Sequence, residues 1–204
     1  MTFGLETVAI VALAVASIGV FSSLVFVVLA TLGAAKFHRE VAEQKQFAEK
    51  QARWPAVSVL KPVHGAEARL KENVESFFRQ DYPNYEVLFA ADEENDAALP
   101  VIREVASRYP AIPCRILVTG LPQLPNPPAF SFYRMSEVAA HDILVTSDSD
   151  VEVGPNYLRE VVAPMLDRAV GMVTCLYRGK NAGGFWSGMD AIGMSVEIDR
   201  KSVV

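Results

Sequence analysis

The residues best placed to do chemistry are Asp148 and Asp150, which close the stretch His141-Asp142-Ile143-Leu144-Val145-Thr146-Ser147-Asp148-Ser149-Asp150. Ile143 to Val145 is a short apolar run that reads as a buried strand. Along an extended chain, residues two apart project from the same side, so the two carboxylates can aim at one point. At about 5 Å and an effective dielectric near 20 they would repel by roughly 3 kcal/mol, a penalty that a divalent cation removes. Mg2+ is commonly held by one or two protein carboxylates plus substrate phosphates. The pattern therefore predicts a metal seat, formed by Asp148 and Asp150, at the carboxyl end of a strand. The alternative for the same residues is a polar loop whose aspartates cap the next helix.

A second acidic cluster, Asp92-Glu93-Glu94-Asn95-Asp96, follows another apolar run, Tyr85 to Ala91. In a parallel sheet, loops that follow strand carboxyl ends share one edge, which would bring the two clusters to a single cleft. Together they predict a nucleotide-diphosphate site, in which one carboxylate accepts a base or ribose hydrogen bond while the aspartate pair and a cation hold the phosphates. Each cluster taken alone also fits a solvated loop.

The elements that would position these loops alternate along the chain. Strands are predicted from Val57 to Lys61-Pro62, over Tyr85 to Ala91, Cys114 to Val118, Ile143 to Val145 and Met172 to Leu176. Helices are predicted over Arg69 to Gln80, Leu99 to Tyr109, Tyr133 to Ala140, and from Pro155 to Leu166. The Pro- and Gly-rich stretch Thr119 to Phe130 reads as a loop. Alternation of this kind marks an α/β fold, a mostly parallel sheet flanked by helices.

Ahead of this domain, Thr7 to Ala35 carries no charged residue. As a helix it would be roughly 43 Å long at 1.5 Å per residue, more than the roughly 30 Å that a bilayer core requires. One N-terminal transmembrane helix is the reading, with a signal peptide disfavoured because the only early charge is Glu6. Lys36, His38 and Arg39 follow at once, and the positive-inside tendency puts the soluble domain in the cytoplasm. The expected division is a transmembrane anchor over 1–36, a juxtamembrane helical stalk over 37–54 and a catalytic-type domain over 55–204. Lys36/Glu40 and Glu49/Arg53 stand four apart along a solvated helical stalk, and a second, compatible reading is a helix lying along lipid headgroups.

Composition narrows the function classes. The net charge of -5 over 204 residues argues against a general nucleic-acid binder. Cys114 and Cys175 are too few for a disulfide scaffold, and each reads as a reduced thiol in a strand. His38, His64 and His141 have no metal-ligand spacing. No G-x-G-x-x-G or Walker loop occurs, which disfavours dinucleotide redox and P-loop chemistry.

Val57-Ser58-Val59-Leu60-Lys61-Pro62, then Gly65, then Glu75-Ser76-Phe77-Phe78, Asp81-Tyr82-Pro83 and Tyr85-Glu86-Val87-Leu88 resemble the ceramide glucosyltransferase group in order and spacing. That group includes bacterial hopanoid-biosynthesis glycosyltransferases and belongs to the GT-A nucleotide-sugar transferases. The likeness covers about residues 54 to 185. It implies transfer of a sugar from a UDP-sugar to a lipid hydroxyl at the cytoplasmic face of a cell membrane, in the bacterial case the inner membrane, with inversion and with Mg2+ or Mn2+. By the same resemblance Asp96 falls on the family's first aspartate, with Asp92 and Glu93 as neighbouring alternatives, in a nucleotide-binding role that Lys61 shares. Asp148 falls on the second aspartate and forms, with Asp150, the metal-binding D-x-D. The chain departs from the family where Asn126-Pro127 is followed by Pro128 rather than lysine, and where Phe130 replaces a usual asparagine. The family's third aspartate, its general base, and its Q/R-x-x-R-W motif are expected beyond residue 204, so the chain reads as the amino-terminal part of a transferase. The alternative is a non-catalytic product of the same lineage that binds a nucleotide-sugar or a partner protein.

Overall fold

The computed structural model describes residues 2–197 apart from 52, 68, 176, 181 and 182, and it divides into two compact units, Met1–Lys50 and Gln51–Val204. The first unit is a single helix, α1 (Thr2–Lys50). Within it, the span Glu6–Ala48 is long and apolar enough to cross a membrane, with a mean hydropathy of 2.5 in its most apolar window. Within the helix Ser17 donates to the Leu13 carbonyl at 2.8 Å, Ser22 to that of Gly19 at 3.0 Å and Thr31 to that of Val28 at 2.8 Å. The helix runs unbroken through the expected anchor and most of the expected stalk. Lys36–Glu40 (3.7 Å) and Arg39–Glu43 (3.9 Å) pair along it, whereas the expected Glu49–Arg53 pair involves a side chain outside the described residues.

The second unit is built on β1 (Val57–Pro62), β2 (Tyr85–Ala91), β3 (Cys114–Val118) and β4 (Ile143–Thr146), a sheet in the order β3-β2-β1-β4 with every pair parallel. β1 and β2 are nearly free of solvent along their whole length, and both have a core on each face. On one face α2 (Leu70–Phe78), α3 (Ala98–Ser107) and α5 (Tyr157–Val162) pack Leu70, Val74, Phe77, Leu99, Ile102 and Leu158 against Val57, Val59, Val87 and Phe89. On the other, α4 (Pro127–Val138) seats Met135 against Leu60, Leu88 and Ala90. A 3-10 turn, Ala163–Leu166, continues α5, and α6 (Phe185–Glu197) follows.

The strand and helix alternation holds, with three differences. α4 begins inside the stretch read as a loop, because Asn126 accepts the Ala129 N–H at 3.1 Å as an N-cap and Pro127-Pro128 fill first-turn positions that need no N–H. Residues 172–175 form no strand, since their backbone pairs with no described neighbour, so Cys175 sits exposed outside the sheet while Cys114 starts β3 half-buried. Leu176, the end of that expected strand, lies outside the described residues. α6 was not foreseen; along it Phe185, Trp186, Met189 and Ile192 are exposed.

A buried polar knot ties the amino-terminal half of the sheet to α4. Glu86 on β2 accepts hydrogen bonds from Ser58 (2.6 Å), Arg115 (2.7 Å) and the Ala140 N–H (2.6 Å). Burial pushes its carboxyl up, but these donors outweigh that effect and hold it below the ordinary carboxylate range.

Candidate functional site

Because all four strands run the same way, their carboxyl ends share one edge. β1 has β2 on one side and β4 on the other, so the crevice between β1 and β4 is the point at which the strand order reverses, where open α/β sheets bind ligands. Two strand spacings, about 10 Å, separate the ends of β2 and β4. The register carries on past the strands: the Ser147 N–H donates to the Leu60 carbonyl at 3.1 Å and the Val63 N–H to that of Ala90 at 2.8 Å. Both acidic loops therefore stand at one edge with the β1–α2 loop between them.

That middle loop stitches its neighbours together. Asp96 accepts the Gly65 N–H with both carboxylate oxygens, each at 3.0 Å, and the Ala98 N–H at 2.7 Å. The approach works because Gly65 adopts φ 68, a conformation that a Cβ would strain. On the other flank Ser149 donates to Glu67 at 2.8 Å. The Asp96 side chain is thus 7% exposed and occupied with backbone amides, with the exposed His64 ring 3.8 Å away. Asp92 is half-buried beside the Thr119 hydroxyl, 3.4 Å away, and Glu93 is exposed.

Asp148 and Asp150 are both exposed. The extended geometry expected of them is absent: β4 ends at Thr146, and the pair lies in a turn in which the Val151 N–H faces the Asp148 carbonyl at 3.5 Å. Leaving the sheet frees this backbone from ladder bonds, and α2 together with Gln80, just past its end, supplies partners in their place. Asn73 donates to the Ser149 carbonyl (3.4 Å), Ser76 accepts the Val153 N–H (3.1 Å), and Gln80 donates to the Gly154 carbonyl (2.8 Å) while accepting the Leu158 N–H (3.1 Å). Sequence reasoning missed these three. Their signal was present, since Asn73, Ser76 and Gln80 repeat at spacings of three and four along the helix expected over Arg69 to Gln80.

Beneath the turn sits Lys61, with 0% of its side chain exposed. Its ammonium donates to the Asp148 carbonyl and to the Ser147 hydroxyl (3.4 Å), and it rests 4.3 Å from the centre of the Phe77 ring. Burial lowers its pKa to about 7, an effect that Asp150, Asp148 and Glu67 partly offset. Tyr177, half-exposed, is pushed up by burial first and then by Asp148.

By ligand type alone, the two carboxylates suit a hard divalent cation shared with phosphate. Two exposed carboxylates are the usual protein share for Mg2+, and no group of three His, Cys, Asp or Glu gathers among the described residues. Glu152, next in the acidic series, is engaged by Arg69 (2.8 Å) and Lys180 (2.7 Å). A cavity of about 760 Å³ occupies the opposite edge, against Pro55, His141, Asp142 and Arg168. It lies at the amino ends of β1 and β4, a strand's length from the acidic loops.

Residues 15–204 match glycosyl transferase family 21. Ceramide glucosyltransferase 1 of Caenorhabditis elegans is 30% identical over 139 residues, covering 68% of this chain and 30% of that protein. Ceramide glucosyltransferase 3 of the same organism is 25% identical over 163 residues, covering 79% and 34%. The chain thus spans about a third of the length of these relatives. A mannosyltransferase from Pyrobaculum calidifontis, solved in complex with GDP-Man and Mn2+, superposes with a TM-score of 0.55 at 24% identity over 73% of this chain and 46% of that one. The parallel sheet with flanking helices is GT-A-like, as the resemblance implied.

Proposed function

The chain belongs to glycosyl transferase family 21, and from that premise we propose that it is the donor-binding part of a membrane-anchored nucleotide-sugar glycosyltransferase acting on a ceramide-like lipid. The observation that carries this reading is the meeting of two acidic loops at the edge where the strand order reverses, joined through Gly65–Asp96 and Glu67–Ser149. Asp148 and Asp150 hold Mg2+ or Mn2+, whose charge offsets that developing on the departing diphosphate. Asp92 and Glu93 face the nucleoside and accept its hydroxyl or base N–H groups, while Asp96 keeps their loop in shape. The donor is a UDP-sugar and the acceptor a lipid hydroxyl, ceramide or hopanoid, attacked with inversion. In this reading α1 serves as the membrane anchor that keeps the transferase near its lipid acceptor, with Lys36, His38 and Arg39 marking the cytoplasmic side. No residue of this chain is assigned as the base that activates the acceptor. The fold relative solved in complex with GDP-Man and Mn2+ supports nucleotide-sugar and cation binding as the reading.

The test is calorimetric titration of UDP with Mn2+ into the detergent-solubilised chain and its Asp148→Ala variant. Binding in the parent, weakened at least tenfold by the substitution, is the expected result. No binding in the parent, or equal affinity in both, overturns the assignment. UDP release that rises on adding ceramide separates turnover from binding alone.

A further inference from the structure

Lys61 raises a question that packing alone does not answer. It is among the largest fully buried side chains, at 0% exposure beside Phe77 and Phe89, and burying an ammonium carries a heavy desolvation cost that a methionine of similar length would avoid. Its hydrogen bonds run to the carbonyl of Asp148 and the hydroxyl of Ser147, across 87 and 86 residues of sequence. They hold the backbone of the turn from the buried side, while Asp148 and Asp150 themselves are exposed. Phe77 of α2 closes the other side of the ammonium at 4.3 Å. β1, α2 and the loop after β4 therefore meet on this one group.

We propose that Lys61 is a positioning residue: its buried ammonium pins the Asp148 carbonyl and the Ser147 hydroxyl, which sets the turn so that both aspartate carboxylates project toward a divalent cation. The inference rests on the metal-binding reading above and deepens it. Two roles for a cation at this place predict opposite signs. As a mere counter-charge, Lys61 repels an incoming Mn2+, and its removal tightens binding. As a strut it organises the ligands, and its removal weakens binding, in the 10- to 100-fold range typical of groups that orient metal ligands.

The experiment measures Mn2+ alone, by the electron paramagnetic resonance signal of the free ion, against the 204-residue chain in detergent and its Lys61→Met, Ser147→Ala and Asp150→Ala variants. Amide exchange of residues 149–151 is followed in the absence of metal. Expected are at least tenfold weaker Mn2+ binding and severalfold faster exchange in Lys61→Met, with a smaller change of the same sign in Ser147→Ala. Unchanged or tighter Mn2+ binding in Lys61→Met, with Asp150→Ala weakened, overturns the strut and leaves the metal site standing. Failure of the parent to bind Mn2+, or indifference to Asp150→Ala, overturns the site itself. Should Lys61→Met not fold, Ser147→Ala decides, since it keeps the charge and removes one held group: unchanged exchange and affinity there overturn the strut.

Discussion

Asp96→Ala separates two roles for a carboxylate that the sequence places with the nucleotide ligands. Its oxygens accept the Gly65 N–H and the Ala98 N–H at 3.0 and 2.7 Å, and its side chain is 7% exposed. Hydrogen bonds to a charged acceptor contribute roughly 1.5–3 kcal/mol each, and an orphaned buried N–H costs about 1–3 kcal/mol. Allowing for partial rescue by water, the loss is about 3 kcal/mol for alanine. Asparagine keeps one acceptor oxygen and should lose about 1 kcal/mol. At roughly 2–4 °C per kcal/mol for a unit of this size, Asp96→Ala should melt about 6–12 °C lower. The assay is thermal unfolding of the detergent-solubilised chain followed by tryptophan fluorescence, with UDP titration at a temperature where both proteins are folded. A melting temperature within about 2 °C of the parent, together with collapsed UDP affinity, would refute the reasoning, because Asp96 would then act on ligand rather than on the loop.

Glu86 has a carboxyl held below its ordinary value, so its contribution to stability is complete above its unfolded pKa and drains away as pH falls through the lower folded value. Glu86→Gln should be less stable than the parent at pH 7, and the difference in urea midpoint should shrink as the pH is taken below about 4; a constant gap refutes this. Gly179→Ala would put a methyl group 2.6 Å from the Cα of Ala191 in α6, too close for backbone to tolerate. α6 should shift, which the emission of the exposed Trp186 would report, whereas an unchanged spectrum counts against this packing.

Much of the fold was legible because its determinants are local. The runs Tyr85 to Ala91 and Cys114 to Val118 are strands with the bounds read from apolar clustering, and the helices alternate with them at the expected places. Parallel direction then followed from alternation, and direction alone sends the loops after β2 and β4 to one edge. α4 was begun too late because two prolines were read as a loop rather than as a first turn capped by Asn126. Residues 172–175 were assigned a strand because an apolar run carries no information about whether a neighbour stands beside it.

What the sequence determined by itself is the anchor-length helix, the α/β class and the common edge of the two acidic loops, since each depends on periodicity within a few residues. The tertiary structure decided what the site residues do there. Lys61 lies under the Asp148 turn, Asp96 clamps Gly65, and Asn73, Ser76 and Gln80 carry the backbone beyond β4. A side chain's partners depend on which strands become neighbours. β1 gains β4 from more than 80 residues away, so these contacts exist only once the sheet has closed.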